Sequence, residues 1–181
     1  MGIVIHRKQG SLRYLGVALI ASVMSIDVLA ADASLIASHA DIACQLAISP
    51  RLTRNQPAVL ALTVQNHGTQ TLRLLKRNTP LEGWLADSLI VERDGQPVPY
   101  SGAMAKRMPP TASEYLRLKP GASHRHRAAL QPAYDVSRPG SYRVQWRGDL
   151  MDVILGNGAP NPDALSPQTI TCAAASFVRT S

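Results

Sequence analysis

Residues 142–147 read YRVQWR, and this alternation of apolar and polar side chains decides the fold class. Successive side chains of a β-strand point to opposite faces, so Tyr142, Val144 and Trp146 share one face and the polar residues between them share the other. We expect the first set to be buried and the second to form a solvated basic stripe. The turn signal Pro139-Gly140 precedes the stretch, which is typical of a strand that follows a tight connection.

Stretches of the same kind recur on both sides of this segment, each bounded by turn residues. The clearest turn is Asp94-Gly95, a dipeptide that favours a two-residue hairpin. Further strands are expected near residues 46–48, 60–65, 72–74, 89–93, 98–100, 115–118, 125–130 and 170–177. We therefore predict an all-β, immunoglobulin-like β-sandwich of about seven or eight strands. Residues 103–108 would suit a short helical turn, which the prolines at 109 and 110 would end.

The N-terminus has the features of a cleaved secretory signal peptide. A basic start precedes an apolar run at 15–26 (LGVALIASVMSI), and small residues allow cleavage after Ala30. The run is short for a bilayer span, so no stable membrane insertion is expected after cleavage, and a retained anchor is the alternative. We predict a signal peptide at 1–30, and the protein is expected to be secreted or periplasmic.

The rest of the chain is expected to hold one domain. Residues 31–43 are small and polar, and we predict that they form a flexible N-terminal segment. A single β-sandwich domain is expected at 44–181, because its length suits one compact core. Residues 155–168 (LGNGAPNPDALSPQ) are rich in Gly and Pro and are expected to form a long loop within it.

Two cysteines, Cys44 and Cys172, lie near the two ends of the expected mature chain. Export would place them in an oxidising compartment, so we expect a disulfide between the first strand and the last. In the chain-entropy model, closing a loop of this length is worth roughly 4–5 kcal/mol. A pair of free thiols is the alternative.

The charge balance is basic, with 19 Lys and Arg against 12 Asp and Glu. Loss of three basic residues and one acidic residue with the signal peptide would lower the net charge from +7 to +5. This excess favours acidic partners such as anionic headgroups, polyanions or an acidic protein. No nucleic-acid partner is expected, because the basic residues are scattered and aromatic residues are few.

The usual catalytic signatures are missing from the sequence. It contains no H-E-x-x-H, no G-x-S-x-G and no glycine-rich phosphate loop, so neither enzymatic activity nor a cofactor is expected. His124 and His126 share one face of a strand and are the candidates for metal ligands. A copper or zinc site needs further ligands, and nothing in the sequence places them there, so a pair of exposed histidines is the alternative.

Four motifs occur in an order that resembles a known domain. They are TPLEG at 79–83, the Asp94-Gly95 hairpin, Lys106-Arg107 before the two prolines, and YRVQWRGDL at 142–150. In this order they resemble the N-terminal domain that precedes the catalytic domain of bacterial secreted peptidyl-Lys metalloendopeptidases, of the deuterolysin-like (aspzincin) group. The resemblance runs from about residue 48 to about residue 152 and covers nearly all of the expected sandwich.

The resemblance implies a role beside a protease. In that family the N-terminal domain is a propeptide that helps the enzyme to fold and holds it inactive. The catalytic domain carries H-E-x-x-H, which this sequence lacks, and the chain ends about where that domain would begin. It therefore looks like a free-standing pro-domain that binds a secreted, lysine-specific zinc metalloendopeptidase and inhibits it or assists its folding. The alternative is a periplasmic β-sandwich that binds a cell-envelope component or a metal ion.

Two loop segments are expected to contact such a partner. Lys106 and Arg107 would insert a cation into the acidic pocket of a lysine-specific enzyme. Glu82 would approach the zinc ion or occlude the cleft, and Trp84 would anchor the interface. The alternative is a structural turn whose tryptophan packs on the sandwich edge. The full set of expected contact residues is Thr79, Pro80, Leu81, Glu82, Trp84, Lys106 and Arg107.

Overall fold

The computed structural model of the protein describes Gly2 and residues 41–181. The predicted signal peptide, apart from Gly2, and residues 31–40 of the predicted flexible segment lie outside the described residues. The first strand begins at Ile42 and is paired along its length. Residues 42 and 43, which we assigned to the flexible segment, therefore belong to the folded domain.

The described residues form thirteen β-strands and two short 3₁₀ helices. In chain order the strands are β1 (Ile42–Ala47), β2 (Arg51–Leu52), β3 (Val59–Asn66), β4 (Leu72–Leu75), β5 (Leu89–Arg93), β6 (Gln96–Pro97), β7 (Tyr115–Leu118), β8 (Ser123–Ala129), β9 (Gly140–Trp146), β10 (Asp149–Leu150), β11 (Val153–Leu155), β12 (Gln168–Thr169) and β13 (Ala175–Arg179). The 3₁₀ helices are Pro80–Glu82 and Ala112–Glu114. The predicted all-β class is confirmed. The strand count exceeds the predicted seven or eight because strands of two or three residues are too short to show an alternation.

The strands form a β-sandwich with one shared core. The largest sheet has the order β2-β13-β9-β5-β6, and two three-stranded sheets have the orders β1-β3-β8 and β11-β4-β7. Strands β10 and β12 make a separate pair. Leu62 of β3, Leu74 of β4 and Val144 of β9 belong to the same apolar cluster, so the sheets bury their inner faces against one another. The predicted immunoglobulin-like sandwich is confirmed.

Strand β9 contains most of the YRVQWR stretch and lies at the centre of the five-stranded sheet. Its Tyr142, Val144 and Trp146 are buried, as predicted. Tyr142 stacks on Phe177 of β13 with ring centroids 4.6 Å apart. Strand β9 pairs with β13 on one side and with β5 on the other, so it joins the two halves of the sheet.

The predicted hairpin at residues 94 and 95 joins β5 to β6. Asp94 has φ 51° and Gly95 has φ 77°. A two-residue turn with positive φ at both positions matches the twist of the flanking strands, and Asp-Gly is one of the few dipeptides that adopts it at low cost. The hairpin prediction is confirmed.

Cys44 of β1 and Cys172 form a disulfide across a sequence separation of 128 residues, with Cα atoms 5.2 Å apart. The predicted pairing is present. Cys172 is not in the last strand, as we expected, because β13 begins only at Ala175. Instead Ala173 bridges to Gln45 of β1, so the disulfide and one backbone bridge tie β1 to the segment that leads into β13.

The Gly/Pro-rich stretch connects β11 to β12 and spans residues 156–167. Within the described part of the chain, no helix is long and apolar enough to cross a bilayer.

Candidate partner-binding site

The TPLEG turn is built from its own side chains. Thr79 caps the first 3₁₀ helix: its Oγ1 accepts a hydrogen bond from the Leu81 N–H (3.1 Å) and donates one to the Lys76 carbonyl (2.6 Å). Pro80 follows at the first helical position, and Gly83 ends the helix at φ 81°, where a side chain would be strained. Thr79, Pro80 and Leu81 are buried. These three predicted contact residues therefore support the turn from inside.

Glu82 is held within the molecule. Its Oε1 accepts hydrogen bonds from Nη2 of Arg107 (2.6 Å) and from the Asn78 N–H (2.8 Å), and its side chain is only 10% exposed. The structure thus pairs two predicted partner contacts, Glu82 and Arg107, with each other. Because the carboxylate is mostly buried and its charge is already paired with Arg107, the approach of Glu82 to a partner's zinc ion stays a prediction.

Trp84 also makes internal contacts. Its Nε1 donates to the Ala129 carbonyl at the end of β8 (2.5 Å). Its ring meets that of Tyr134 edge to face, with centroids 6.0 Å apart. This corresponds to the alternative interpretation, in which the tryptophan packs on the edge of the sandwich.

The segment 103–108, which we call the arm, is not helical, although the sequence allowed a short helical turn there. Its polar backbone groups bind to other segments. Tyr100 Oη donates to the Ala103 carbonyl (2.6 Å), and the Ala105 N–H donates to the Leu85 carbonyl (3.0 Å). Because these partners lie outside the arm, they stabilise it in a non-helical conformation.

Exposure alternates along the arm. Met104 is 72% exposed, Met108 is 79% exposed, and Lys106 between them is exposed as well. Ala105 and Arg107 are partly covered. This is the pattern of an extended chain with one face towards the protein and one towards solvent. Within residues 41–181, no hydrogen bond or ion pair engages the Lys106 side chain.

Arg77, which was not predicted from the sequence, holds the C-terminal end of the arm. Its Nε and Nη2 donate to the two carboxylate oxygens of Glu114, each at 2.7 Å, and its Nη1 donates to the Met108 carbonyl at 2.6 Å. The guanidinium is largely buried, with 8% of the side chain exposed. The T-x-x-E spacing from Thr111 to Glu114 is a capping-box signal that would have marked Glu114. No local signal marks Arg77.

The pKa of Glu114 is lowered from 4.5 to about 2, chiefly by its hydrogen bonds with the Arg77 guanidinium and then by the Thr111 backbone N–H. Since the folded-state pKa lies below the unfolded value, the stabilisation is complete above about pH 4.5. It is expected to decrease as the pH falls from about 4.5 to about 2. Urea unfolding at pH 7, 5, 4 and 3 measures this dependence.

The variant Glu114→Gln tests whether Glu114 causes this acid dependence. Between about pH 4.5 and pH 2 it should lose less stability than the wild type. Glu92→Gln is the control, because its carboxylate lies 3.9 Å from Arg143 in a more exposed pair and should keep the wild-type acid dependence. An E114Q variant with the wild-type acid dependence would contradict the assignment.

A cavity of about 420 Å³ lies between the TPLEG turn, the arm and β8. Its walls include Lys76, Leu81, Glu82, Arg107, Glu114 and His126. The pKa of His126 is lowered, first by burial and then by the positive charges of His124 and Lys76. The imidazole of His126 is therefore expected to be neutral at pH 7.

The two candidate metal ligands lie on one face of β8, as expected, since His124 is opposite Val64 and His126 is opposite Leu62 in the register with β3. Among the described residues, no group of three or more His, Cys, Asp or Glu side chains is arranged to hold a metal ion. Metal binding by this histidine pair therefore stays a prediction, and no third ligand lies beside the pair among the described residues.

Comparison with known proteins shows partial similarity to secreted proteases. No protein-family model matches the chain. An extracellular protease of Aeromonas hydrophila is 36% identical over 107 residues, which make up 57% of this chain and 31% of that protein. A probable neutral protease 2 homolog of Trichophyton rubrum is 31% identical over 103 residues, 56% of this chain and 29% of that protein. The chain thus matches about a third of the length of these relatives, and the similarity identifies a protease-related segment.

Solved structures that match the chain are more distant. A CARDB domain from Pyrococcus furiosus has 11% identity and a TM-score of 0.33, with 77% of this chain and 93% of that chain covered. A β-glucosidase from Listeria innocua has 11% identity and a TM-score of 0.30, with 77% of this chain and 17% of that chain covered. Similarity at this level carries no conclusion about function.

Proposed function

We propose that this chain is a protease-associated binding domain that engages a secreted zinc metalloendopeptidase and inhibits it or assists its folding. The observation that carries the proposal is its similarity to about a third of each of two proteases, while its own 181 residues lack H-E-x-x-H. A segment shared with proteases that carries no zinc-binding signature is suited to a supporting role. In this proposal the domain is not an enzyme, and the zinc ion belongs to the partner.

The surface of the domain supports the same proposal. The chain is basic, with a formal net charge of +7 that would fall to +5 with loss of the predicted signal peptide, and this excess favours encounter with an acidic partner. The arm presents an exposed lysine between two exposed methionines, a combination that a polar surface loop without a partner does not require. The disulfide suits an oxidising compartment, so we place the protein outside the cytoplasm, secreted or periplasmic.

The test of inhibition is a titration of a purified lysine-specific zinc metalloendopeptidase with the purified protein. Cleavage of a lysine-containing fluorogenic peptide should fall in a saturable way, with an end point near one molecule of protein per enzyme. An equimolar amount of albumin is the control and should not inhibit.

The test of folding assistance uses the same enzyme after denaturation in urea. Refolding in the presence of zinc should give a higher yield of active enzyme when the protein is added than when an equal mass of albumin is added. The proposal is overturned if the protein neither inhibits the enzyme nor raises its refolding yield, and the two do not elute together in size-exclusion chromatography.

A further inference from the structure

We propose that the arm enters the substrate-binding cleft of the partner protease in the manner of a substrate, with Lys106 as the central contact. This inference rests on the proposed function and deepens it, because it names the contacting segment and the chemistry of the partner site. The outer face of the arm would bind a cleft of the partner protease that has an acidic pocket for the lysine and apolar surface on both sides of that pocket.

The distribution of exposed apolar side chains points to the arm. In the described part of the chain, five large apolar side chains are exposed, and three of them, Leu85, Met104 and Met108, lie on the arm or next to it. Leu85 is 41% exposed and its carbonyl accepts the hydrogen bond from Ala105, so it borders the arm directly. Exposed apolar groups concentrated at one place are typical of an interaction surface.

The charge at the centre of this surface is a single available cation. Arg107 follows Lys106 in sequence, but its guanidinium is paired with Glu82 at 2.6 Å. Lys106 is exposed, and no residue in 41–181 forms a hydrogen bond or ion pair with its ammonium group. Of these two adjacent cations, only Lys106 is therefore placed to enter a pocket of another protein.

Contacts from the rest of the domain hold the arm along its whole length. Tyr100 Oη binds the Ala103 carbonyl at the start, and the Ala105 N–H binds Leu85 near the middle. The Arg107–Glu82 ion pair follows, and Arg77 binds the Met108 carbonyl at the end. A segment that is ordered before binding loses less conformational entropy when it binds, which increases affinity.

The chemistry of the arm specifies the pocket that it fits. An ammonium group desolvated on binding needs a carboxylate partner, because an unpaired buried charge is costly. The flanking Met104 and Met108 side chains are flexible and polarisable, so they adapt to irregular apolar surfaces beside the pocket. A protease that accepts lysine at the scissile bond needs an acidic pocket of this kind, and so the arm would compete with its substrates.

The experiment compares two variants that remove the same charge from exposed positions. Lys106→Ala removes the proposed contact, and Lys119→Ala removes a lysine in the turn between β7 and β8. Wild type and K119A should inhibit the lysine-specific zinc metalloendopeptidase competitively against a lysine-containing peptide, raising the apparent KM and leaving kcat unchanged. K106A should raise the inhibition constant roughly tenfold or more, as expected for a central contact. Both variants should keep the wild-type Tm, since both side chains are exposed.

The outcomes separate the two proposals. Non-competitive inhibition by the wild type, or an inhibition constant for K106A within twofold of that for K119A, would overturn the placement of the arm and leave the proposed function intact. Met104→Ser with Met108→Ser gives a second measurement, and wild-type inhibition by this variant would overturn the role of the apolar flanks. If the wild type neither inhibits the enzyme nor binds it, the arm inference fails, and the proposed function fails with it only if the protein also leaves the refolding yield unchanged.

Discussion

Replacement of both cysteines by serine (C44S/C172S) is expected to lower the free energy of unfolding by about 5 kcal/mol. The disulfide spans 128 residues, and in the chain-entropy model a loop of that length strongly restricts the unfolded chain. The effect is expected to concentrate on β1, since this strand lies at the edge of its sheet and is otherwise held mainly by β3. A domain of ordinary stability would lose a large part of its total with this one crosslink.

Urea unfolding followed by tryptophan fluorescence measures this loss. The matched control is the effect of a reducing agent, which should destabilise the wild type to a similar extent and leave C44S/C172S unchanged. A loss below about 1 kcal/mol would contradict the chain-entropy account, because it would mean that the crosslink barely restricts the unfolded state.

Arg77→Met is expected to lower the free energy of unfolding by about 1.5–3 kcal/mol, because it removes charge-assisted hydrogen bonds of a largely buried guanidinium. The substitution keeps most of the volume but removes the two hydrogen bonds to Glu114 and the one to the Met108 carbonyl. It should also release the C-terminal end of the arm. The consequence for stability and the consequence for the arm therefore come from the same guanidinium.

Urea unfolding measures the stability of R77M, and hydrogen exchange measures the arm. The amide of Ala105, which donates to the Leu85 carbonyl, should exchange faster in R77M than in the wild type. Arg143→Met is the control: its Nη1 lies 3.9 Å from Glu92 in an exposed pair, so its effect should stay within about 1 kcal/mol. Equal free energies of unfolding for R77M and R143M would contradict the prediction, because they would show that the burial of Arg77 adds nothing to the stability that its ion pair provides.

The disulfide could be predicted from the sequence, whereas the Arg77–Glu114 ion pair could not. The pairing of Cys44 with Cys172 follows from the presence of two cysteines and the expectation of export. The Arg77–Glu114 pair was not predicted, because its members lie 37 residues apart in two loops and no local pattern links them. The capping box at Thr111 identifies Glu114 as a helix-start residue but not as the partner of an arginine on the other loop.

The candidate site shows the same limit in the residues that the sequence did identify. All seven predicted contact residues lie in two segments that the structure brings together, and the Glu82–Arg107 ion pair joins those segments. What the sequence could not supply is the direction in which each side chain points. Thr79 and Trp84 serve the internal structure of the turn and the sandwich edge, whereas Lys106 is left exposed.

The all-β class, the buried face of β9 and the hairpin at residues 94 and 95 were determined by the sequence itself. Alternation assigns side chains to the two faces of a strand from residue order alone, and the Asp94-Gly95 turn depends only on the backbone preferences of its two residues. Tertiary structure decided which of two adjacent cations is available. Glu82 pairs with Arg107 and leaves Lys106 exposed, because the fold brings together carboxylates and cations that are distant in the chain. Such pairing depends on the packing of whole loops, and no local pattern of residues encodes it.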